Sequence, residues 1–267
     1  MSLLFVDTNI WLDFYRVRSE AGIALLKHLD AIRDKLILTY QVEMEFKKHR
    51  QSAILDGFKA LKSPDSVARP GLFSDAKTAK ALQTDIKNAE ERVNMLKERL
   101  RRALSDPTKC DPVYTICQRC FHKTDSLVLT RDGEDKPAVR RRAYRRFLNG
   151  CPPRKANDTS IGDAVNWEWI VLCATRCTDE IHIVSRDSDF GAVFENRAYL
   201  NDHLLQEFKE RVSLRRKIVL HAKLSDALKH FKIEVTPAEE KEEEEIIRVT
   251  PSLHPATELQ LPSSITL

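Results

Sequence analysis

Four short apolar runs set the terms for this chain: LLFV (residues 3–6), LILT (36–39), IHIVS (181–185) and KIVLHA (217–222). Each is too short for a helix, and each reads as a strand buried on both faces. Helix-like stretches lie between them, from Asn9 to about Leu29, Gln41 to Leu61, 161–176, 199–212 and 224–231, with a short helix over 189–194. Short buried strands alternating with helices predict an α/β fold with a central, mainly parallel sheet covered by helices on both sides. In such sheets function collects at the carboxyl ends of the strands.

The remaining sequence excludes several classes. At 267 residues the chain fits one large domain with an insertion or a tail. No run of about 18 apolar residues occurs, so no spanning helix is expected and no membrane partner. The opening MSLLFVDTNIW runs straight into a strand without a basic leader, so the expected location is cytoplasmic. The six cysteines are expected as reduced thiols. Neither GxxxxGK[ST] nor GxGxxG is present, which removes the P-loop and the dinucleotide fingerprint.

Between the second and third strands the pattern changes. SPDSVARPG, with Pro64 and Pro70, breaks the second helix. Then Ala79, Leu82, Ile86, Ala89, Val93, Leu96, Leu100 and Ala103 alternate spacings of three and four. That seam predicts a helix of about 45 Å. Pro107 and Pro112 turn the chain back into another apolar helix, which favours a helical hairpin within one chain; pairing of two chains into a homodimer is the alternative. The division expected is a core of residues 1–62 and 137–236, a helical insertion over 63–136 and an acidic, disordered tail over 237–267. Cys110, Cys117, Cys120 and His122 lie close in sequence, but their spacing matches no common zinc motif. A helix with Val113, Ile116, Cys117 and Cys120 on its packed face accounts for them better.

The net charge is +4, unevenly distributed. Residues 237–267 carry −5, which leaves +9 on the other 236. Residues 136–155 hold eight cations and no acid: Lys136, Arg140, Arg141, Arg142, Arg145, Arg146, Arg154 and Lys155. A density of that kind attracts a polyanion through counterion release; a solvated helix face is the plainer reading. The tail, with its EEKEEEE run, reads as solvated chain or as a contact for a protein partner.

Four acids fall after strand ends. Asp7 follows LLFV directly, Asp187 follows IHIVS by one residue, Glu45 lies one turn into the helix after LILT, and Asp163 opens the helix after CPPRKANDTS. Each alone has a modest explanation, Asp7 as a helix cap and Asp163 as an acid suited to a helix dipole. Together they converge on one edge of the sheet. Crowded carboxylates without histidine suit hard divalent cations, Mg²⁺ or Mn²⁺, rather than zinc.

FVDTNIWLDFYR resembles the opening of the PIN domain, a nuclease fold. VEMEFKKHR, SIGDAVNWEWI and IVSRDSDF are similar to the elements that carry that family's second, third and fourth acids. Pro152, Pro153, Lys155, Gly162, Asp163 and Trp167 add a likeness to the larger PIN-like group typified by the DUF4935 domain, although Ala156 stands where similar proteins often have an acid. The resemblance covers about residues 2–236, weakly through 60–135. It implies a PIN-like three-layer fold and a metal-dependent phosphodiesterase that binds one or two Mg²⁺ or Mn²⁺ ions, with RNA favoured over DNA. Products would carry 5′-phosphate and 3′-hydroxyl ends. The residues it implies as catalytic and metal-binding are Asp7, Glu45, Asp163 and Asp187, supported by Asn9, Ser185, Asp189 and Asp158. Arg142, Arg145, Arg146, Arg154 and Lys155 would contact nucleic acid. Single-strand or flap DNA cleavage and a non-catalytic nucleic-acid scaffold are the competing functions. A haloacid dehalogenase-type phosphatase is excluded, because Asn9 stands where that chemistry needs an Asp. Tyr144, Trp11 and Trp167 are expected to pack rather than stack on bases.

Overall fold

The computed structural model describes residues 2–17, 19–60, 72, 76–154, 160–195 and 197–249. Five parallel strands form one sheet in the order β3-β2-β1-β4-β7, with β1 Ser2–Val6, β2 Leu36–Thr39, β3 Val128–Leu129, β4 Glu180–Val184 and β7 Ile218–His221. β1 is central, pairing Phe5 with Ile37 on one side and with Ile183 on the other. Leu4, Phe5 and Val6 are inaccessible to solvent, as expected for a strand covered on both faces. The four apolar runs of the sequence are all strands of this sheet. β3 is an addition of two residues, within the apolar run Leu127-Val128-Leu129 that the sequence reading did not count as a strand.

The helices are α1 Thr8–Asp13, α2 Glu20–Ala31, α3 Tyr40–Ala60, α4 Lys77–Ser105, α5 Pro107–Cys110, α6 Pro112–Phe121, α7 Lys136–Leu148, α8 Gly162–Arg176, α9 Asp202–Arg211, α10 Leu224–Lys229 and α11 Pro237–Val249. The single helix expected over 9–29 is two, α1 and α2. The helix expected over 189–194 is instead β5 Gly191–Phe194, which forms an antiparallel hairpin with β6 Arg197–Leu200. Gly191 permits that pairing, since a Cβ there would lie 1.9 Å from the Tyr199 carbonyl oxygen. None of the helices searched is long and apolar enough to cross a membrane.

The core extends into the expected insertion. On α6, Val113, Cys117, Cys120 and Phe121 are buried, and Phe121 meets Trp11 and Phe46 edge-on with ring centroids 5.0 Å and 5.4 Å apart. Residues 112–129 therefore belong to the core, contrary to the 63–136 boundary. A buried ion pair closes the base of this region: Arg50 on α3 donates to Asp111 at 2.7 Å and to the Ala103 carbonyl at 2.5 Å. α4 runs back along the end of α3, with Lys97 over the Phe58 ring. Its seam is at most half-buried, and Leu82 and Leu96 are exposed, so the hairpin is closed only at its base among the described residues.

The acidic segment is the largest departure from expectation. Residues 237–249 form α11, packed on α2 and α10. Its start is a capping box: the Glu239 carboxylate accepts from the Thr236 N–H at 2.6 Å, and Thr236 Oγ1 accepts from the Glu239 N–H at 3.3 Å. Its acids face inward and find donors. Glu239 meets His28 at 3.1 Å, Glu242 accepts from Ser19 at 2.7 Å, and Glu243 accepts from the Leu224 and Ser225 N–H groups at the start of α10. Ile246 is buried beside them. An EEEE run reads as solvated only while its partners are unknown.

Candidate metal-binding acidic rim

Asp7 is the first residue past β1 and is buried. It caps α1, its Oδ1 accepting from the Thr8 N–H at 2.7 Å. Its other oxygen accepts from Ser185 Oγ at 2.6 Å and from Asn9 Nδ2 at 3.3 Å. Ser185 is the first residue past β4, so the parallel pairing of β1 and β4 delivers donor and acceptor to the same sheet edge. Ser185 Oγ also accepts from the Asp187 N–H at 3.0 Å, and Asp187 Oδ1 accepts from the Asp189 N–H at 3.2 Å. One serine thus shapes both the Asp7 contact and the turn that carries Asp187.

Glu45 reaches the same edge from α3. Its Oε2 accepts from Thr8 Oγ1 at 3.0 Å and its Oε1 from Gln41 Nε2 at 2.7 Å. Asp163 is half-buried in the first turn of α8. Its neighbour Gly162 brings that helix end against Glu45: a Cβ at 162 would stand 2.5 Å from Glu45 Oε1 and 2.6 Å from Gln41 Nε2. One turn on, Asn166 accepts from Thr39 Oγ1 at 2.6 Å in a fully buried contact at the end of β2. Thr8, Gln41 and Asn166 escaped notice in the sequence. Thr8 lies inside the Asp-Thr-Asn run, Gln41 precedes Glu45 by four residues and Asn166 follows Asp163 by three, and helical spacing was the available signal.

Burial pushes the Asp7 carboxyl up to about 6; the Ser185 bond draws it down, the Asp187 charge pushes it up, the Thr8 N–H lowers it and the Glu45 charge raises it. The charges of Asp187 and Glu45, carried on two further segments of the chain, therefore reach Asp7. The donors available to a cation there are carboxylate oxygens, together with the Asn9 side-chain oxygen, which is buried without a hydrogen-bond partner. A hard, oxygen-only set of this kind fits Mg²⁺ or Mn²⁺. Among the described residues, the set of three metal-ligating side chains whose donor atoms all lie within 4.8 Å is elsewhere, at His182, His221 and His230. Cys117 and Cys120 are packing thiols of α6, with burial pushing Cys117 well up and Cys120 up to about 12.

The basic stretch divides. Arg142 and Arg145 on α7 are exposed, and Arg154 lies exposed over the Phe147 ring at 4.6 Å. Asp135 and Arg176 pair across the start of α7 and the end of α8, so the two helices run antiparallel and the end of α7 lies near the start of α8. Arg145 is thereby brought toward the Asp163 end. Arg146 is a correction. It is buried, donates to Glu168 at 3.2 Å, to Glu207 and to the Pro152 carbonyl, and is not available to nucleic acid. Helix periodicity is the reason: Val139, Ala143 and Arg146 share the face of α7 that meets α8. The cleft of about 710 Å³ between α7, α8 and α9 is floored by this network and is not the acidic rim. Tyr144, expected to pack, is exposed, whereas Trp11 and Trp167 are fully buried. Lys155 and Asp158 lie outside the described residues.

A family model described as a PIN domain matches residues 4–190, from β1 through the Asp187 turn. It does not single out the DUF4935-type group. No curated protein and no solved structure matches the chain. The matched span takes in most of the sequence and every strand–acid junction described above, and on that extent the protein belongs to the PIN-domain family, whose domains are generally metal-dependent nucleases and imply a nucleic-acid substrate.

Proposed function

We propose that the protein is a cytoplasmic endoribonuclease that hydrolyses phosphodiester bonds at the rim formed by Asp7, Glu45, Asp163 and Asp187, with RNA preferred to DNA. The observation that carries this reading is Asp7, a buried carboxylate kept beside Asp187 and Glu45 although their charges raise its proton affinity. Such crowding disfavours the charged forms and is relieved by a cation. One or two Mg²⁺ or Mn²⁺ ions bound there would lower the pKa of a water and neutralise the leaving oxyanion. The chain's part is orientation. Ser185, Asn9 and the Thr8 N–H fix Asp7, while Thr8 Oγ1 and Gln41 fix Glu45. Arg142, Arg145 and Arg154 draw the phosphate backbone toward that edge without reading sequence.

The test is cleavage of labelled single-stranded RNA and matched DNA with Mn²⁺, Mg²⁺ or EDTA, beside Asp163→Asn. Metal-dependent cutting, faster on RNA and lost in the variant, is expected. Equal or faster cutting of DNA overturns the RNA preference, and cutting retained by Asp163→Asn removes that residue from the site. Gly162→Ala should lower the rate by up to about 100-fold by displacing Glu45. Its melting temperature should stay close to wild type, because the atoms a Cβ would meet are the ends of flexible side chains. An unchanged rate would mean that Glu45 needs no fixed position.

A further inference from the structure

Away from the rim, three histidines meet on one side of the sheet. His182 is in β4 and His221 in β7, and the register pairs His182 with Val219 and Val184 with His221. His230 caps the end of α10, which packs on both strands. The three donor nitrogens lie within 4.8 Å of one another. His182 Nδ1 and His221 Nε2 face each other at 2.9 Å, with the rings 5.2 Å apart, and the His230 ring lies 4.6 Å from that of His182. We infer that His182, His221 and His230 form a site for a borderline transition-metal cation, Zn²⁺ in the first instance, distinct from the carboxylate rim and selective against Mg²⁺.

Packing alone explains this trio poorly. A stacked imidazole plug satisfies the nitrogens that face each other, but it leaves His182 Nε2 buried without a hydrogen bond. His182 is almost wholly buried, so that nitrogen has no solvent to turn to. A cation changes the balance. With His182 bound through Nδ1, its single proton resides on Nε2, directed toward the Glu180 carboxylate 3.9 Å away. A carboxylate behind a ligating imidazole is the usual support for such a ligand. His221, bound through Nε2, carries its proton on Nδ1. Both rings stay neutral and no proton is lost; whichever ring donates across the 2.9 Å contact exchanges one tautomer for the other. Burial first, then the neighbouring histidines, push His182 down to about 4 and His221 down to about 3, so at neutral pH both present lone pairs. Imidazole suits Zn²⁺, Cu²⁺ and Ni²⁺ and is a poor ligand for Mg²⁺. Tetrahedral Zn–N bonds of about 2.0–2.1 Å need the nitrogens roughly 3.3 Å apart. The 2.9 Å pair must open slightly, and His230, which is exposed, must swing inward. That exposed side is the entry path and leaves a fourth position to water.

The experiment uses full-length protein stripped with chelator and carrying Asp7→Asn and Asp163→Asn, so that the rim's own metal binding is crippled. Co²⁺ and Zn²⁺ are titrated into it, with and without His230→Ala. One equivalent of Co²⁺ with a tetrahedral visible spectrum is expected, with a Zn²⁺-induced rise in melting temperature of several degrees and at least tenfold weaker binding in His230→Ala. His230 is exposed, so that variant folds; His182→Gln, judged only after circular dichroism confirms folding, should abolish the spectrum. Equal Co²⁺ binding by the parent and His230→Ala overturns the site, as does the absence of any Zn²⁺ shift. Neither outcome bears on nuclease activity, which is read with Mg²⁺ or Mn²⁺ on the wild-type rim.

Discussion

Asp7→Asn should melt higher than wild type when both are free of divalent metal at pH 7.5, while losing cleavage. The Asp7 carboxyl rises from 3.8 to about 6 on folding. Between those values the folded chain holds a proton that the unfolded chain has released, so stability falls as pH rises through that window. Below about pH 4 the penalty is absent, and above about 6 it is complete. Two units correspond to about 3 kcal/mol. Asparagine removes that penalty but also forfeits part of the bonding, because its amide would meet Asn9 Nδ2 donor to donor. A net gain of about 1–2 kcal/mol, or roughly 3–6 °C, is expected for a domain of this size. The buried histidines act in the opposite sense: their lowered values mean that stability is lost as pH falls below about 6.5. Comparing variant with wild type cancels that contribution. The gain should shrink toward zero by pH 4 in thermal melts with EDTA. A variant that melts lower at pH 7.5 would show that the three donors fully compensate the charge, and the case for a cation at Asp7 would weaken.

The second large effect lies away from the rim. Arg146→Ala should destabilise the protein by about 3 kcal/mol, because removing one member of a buried ion pair leaves uncompensated charge. Glu168 and Glu207 would then share only Arg211, which donates to them at 2.7 Å and 2.6 Å. Burial raises the Glu207 carboxyl, but the hydrogen bonds and charges of Arg146 and Arg211 outweigh it and hold the group below its ordinary value. The remaining arginine and the Trp167 N–H keep the loss at the low end of the usual range. Denaturant melts measure this, with Arg145→Ala as the control. That exposed neighbour should change stability by less than about 0.5 kcal/mol. It should instead weaken nucleic-acid binding and flatten its salt dependence. A stability loss of the same size in both variants would mean that burial does not separate them.

These two arginines also mark what the sequence could carry. Runs of apolar residues located four strands of the parallel sheet, and the acids that follow them are candidates for the rim, because strand burial and strand ends are local properties. Which of two adjacent arginines turns inward depends on where α8 and α9 lie, and composition holds no record of that. The same limit hid α11. Its Thr-Pro-Ala-Glu start is a legible helix signal, but the value of its glutamates rests on His28, Ser19 and the start of α10, far away in the chain. Helices α1 and α2 merged in the reading because both are apolar on a helical period. The β5–β6 hairpin was missed because its exposed faces have no core pattern to display.

The central position of β1 has a consequence for the timing of synthesis. Asp7 is made long before the serine that holds it, which lies 178 residues later. At about 5–20 residues per second of translation, the ribosome takes roughly 9–36 s to reach that serine once Asp7 exists. Throughout that interval the first strand has no fourth-strand partner and the acidic edge has no Asp187. A chain whose proposed substrate is RNA thus carries its proposed site unassembled until the fourth strand and its serine have been made.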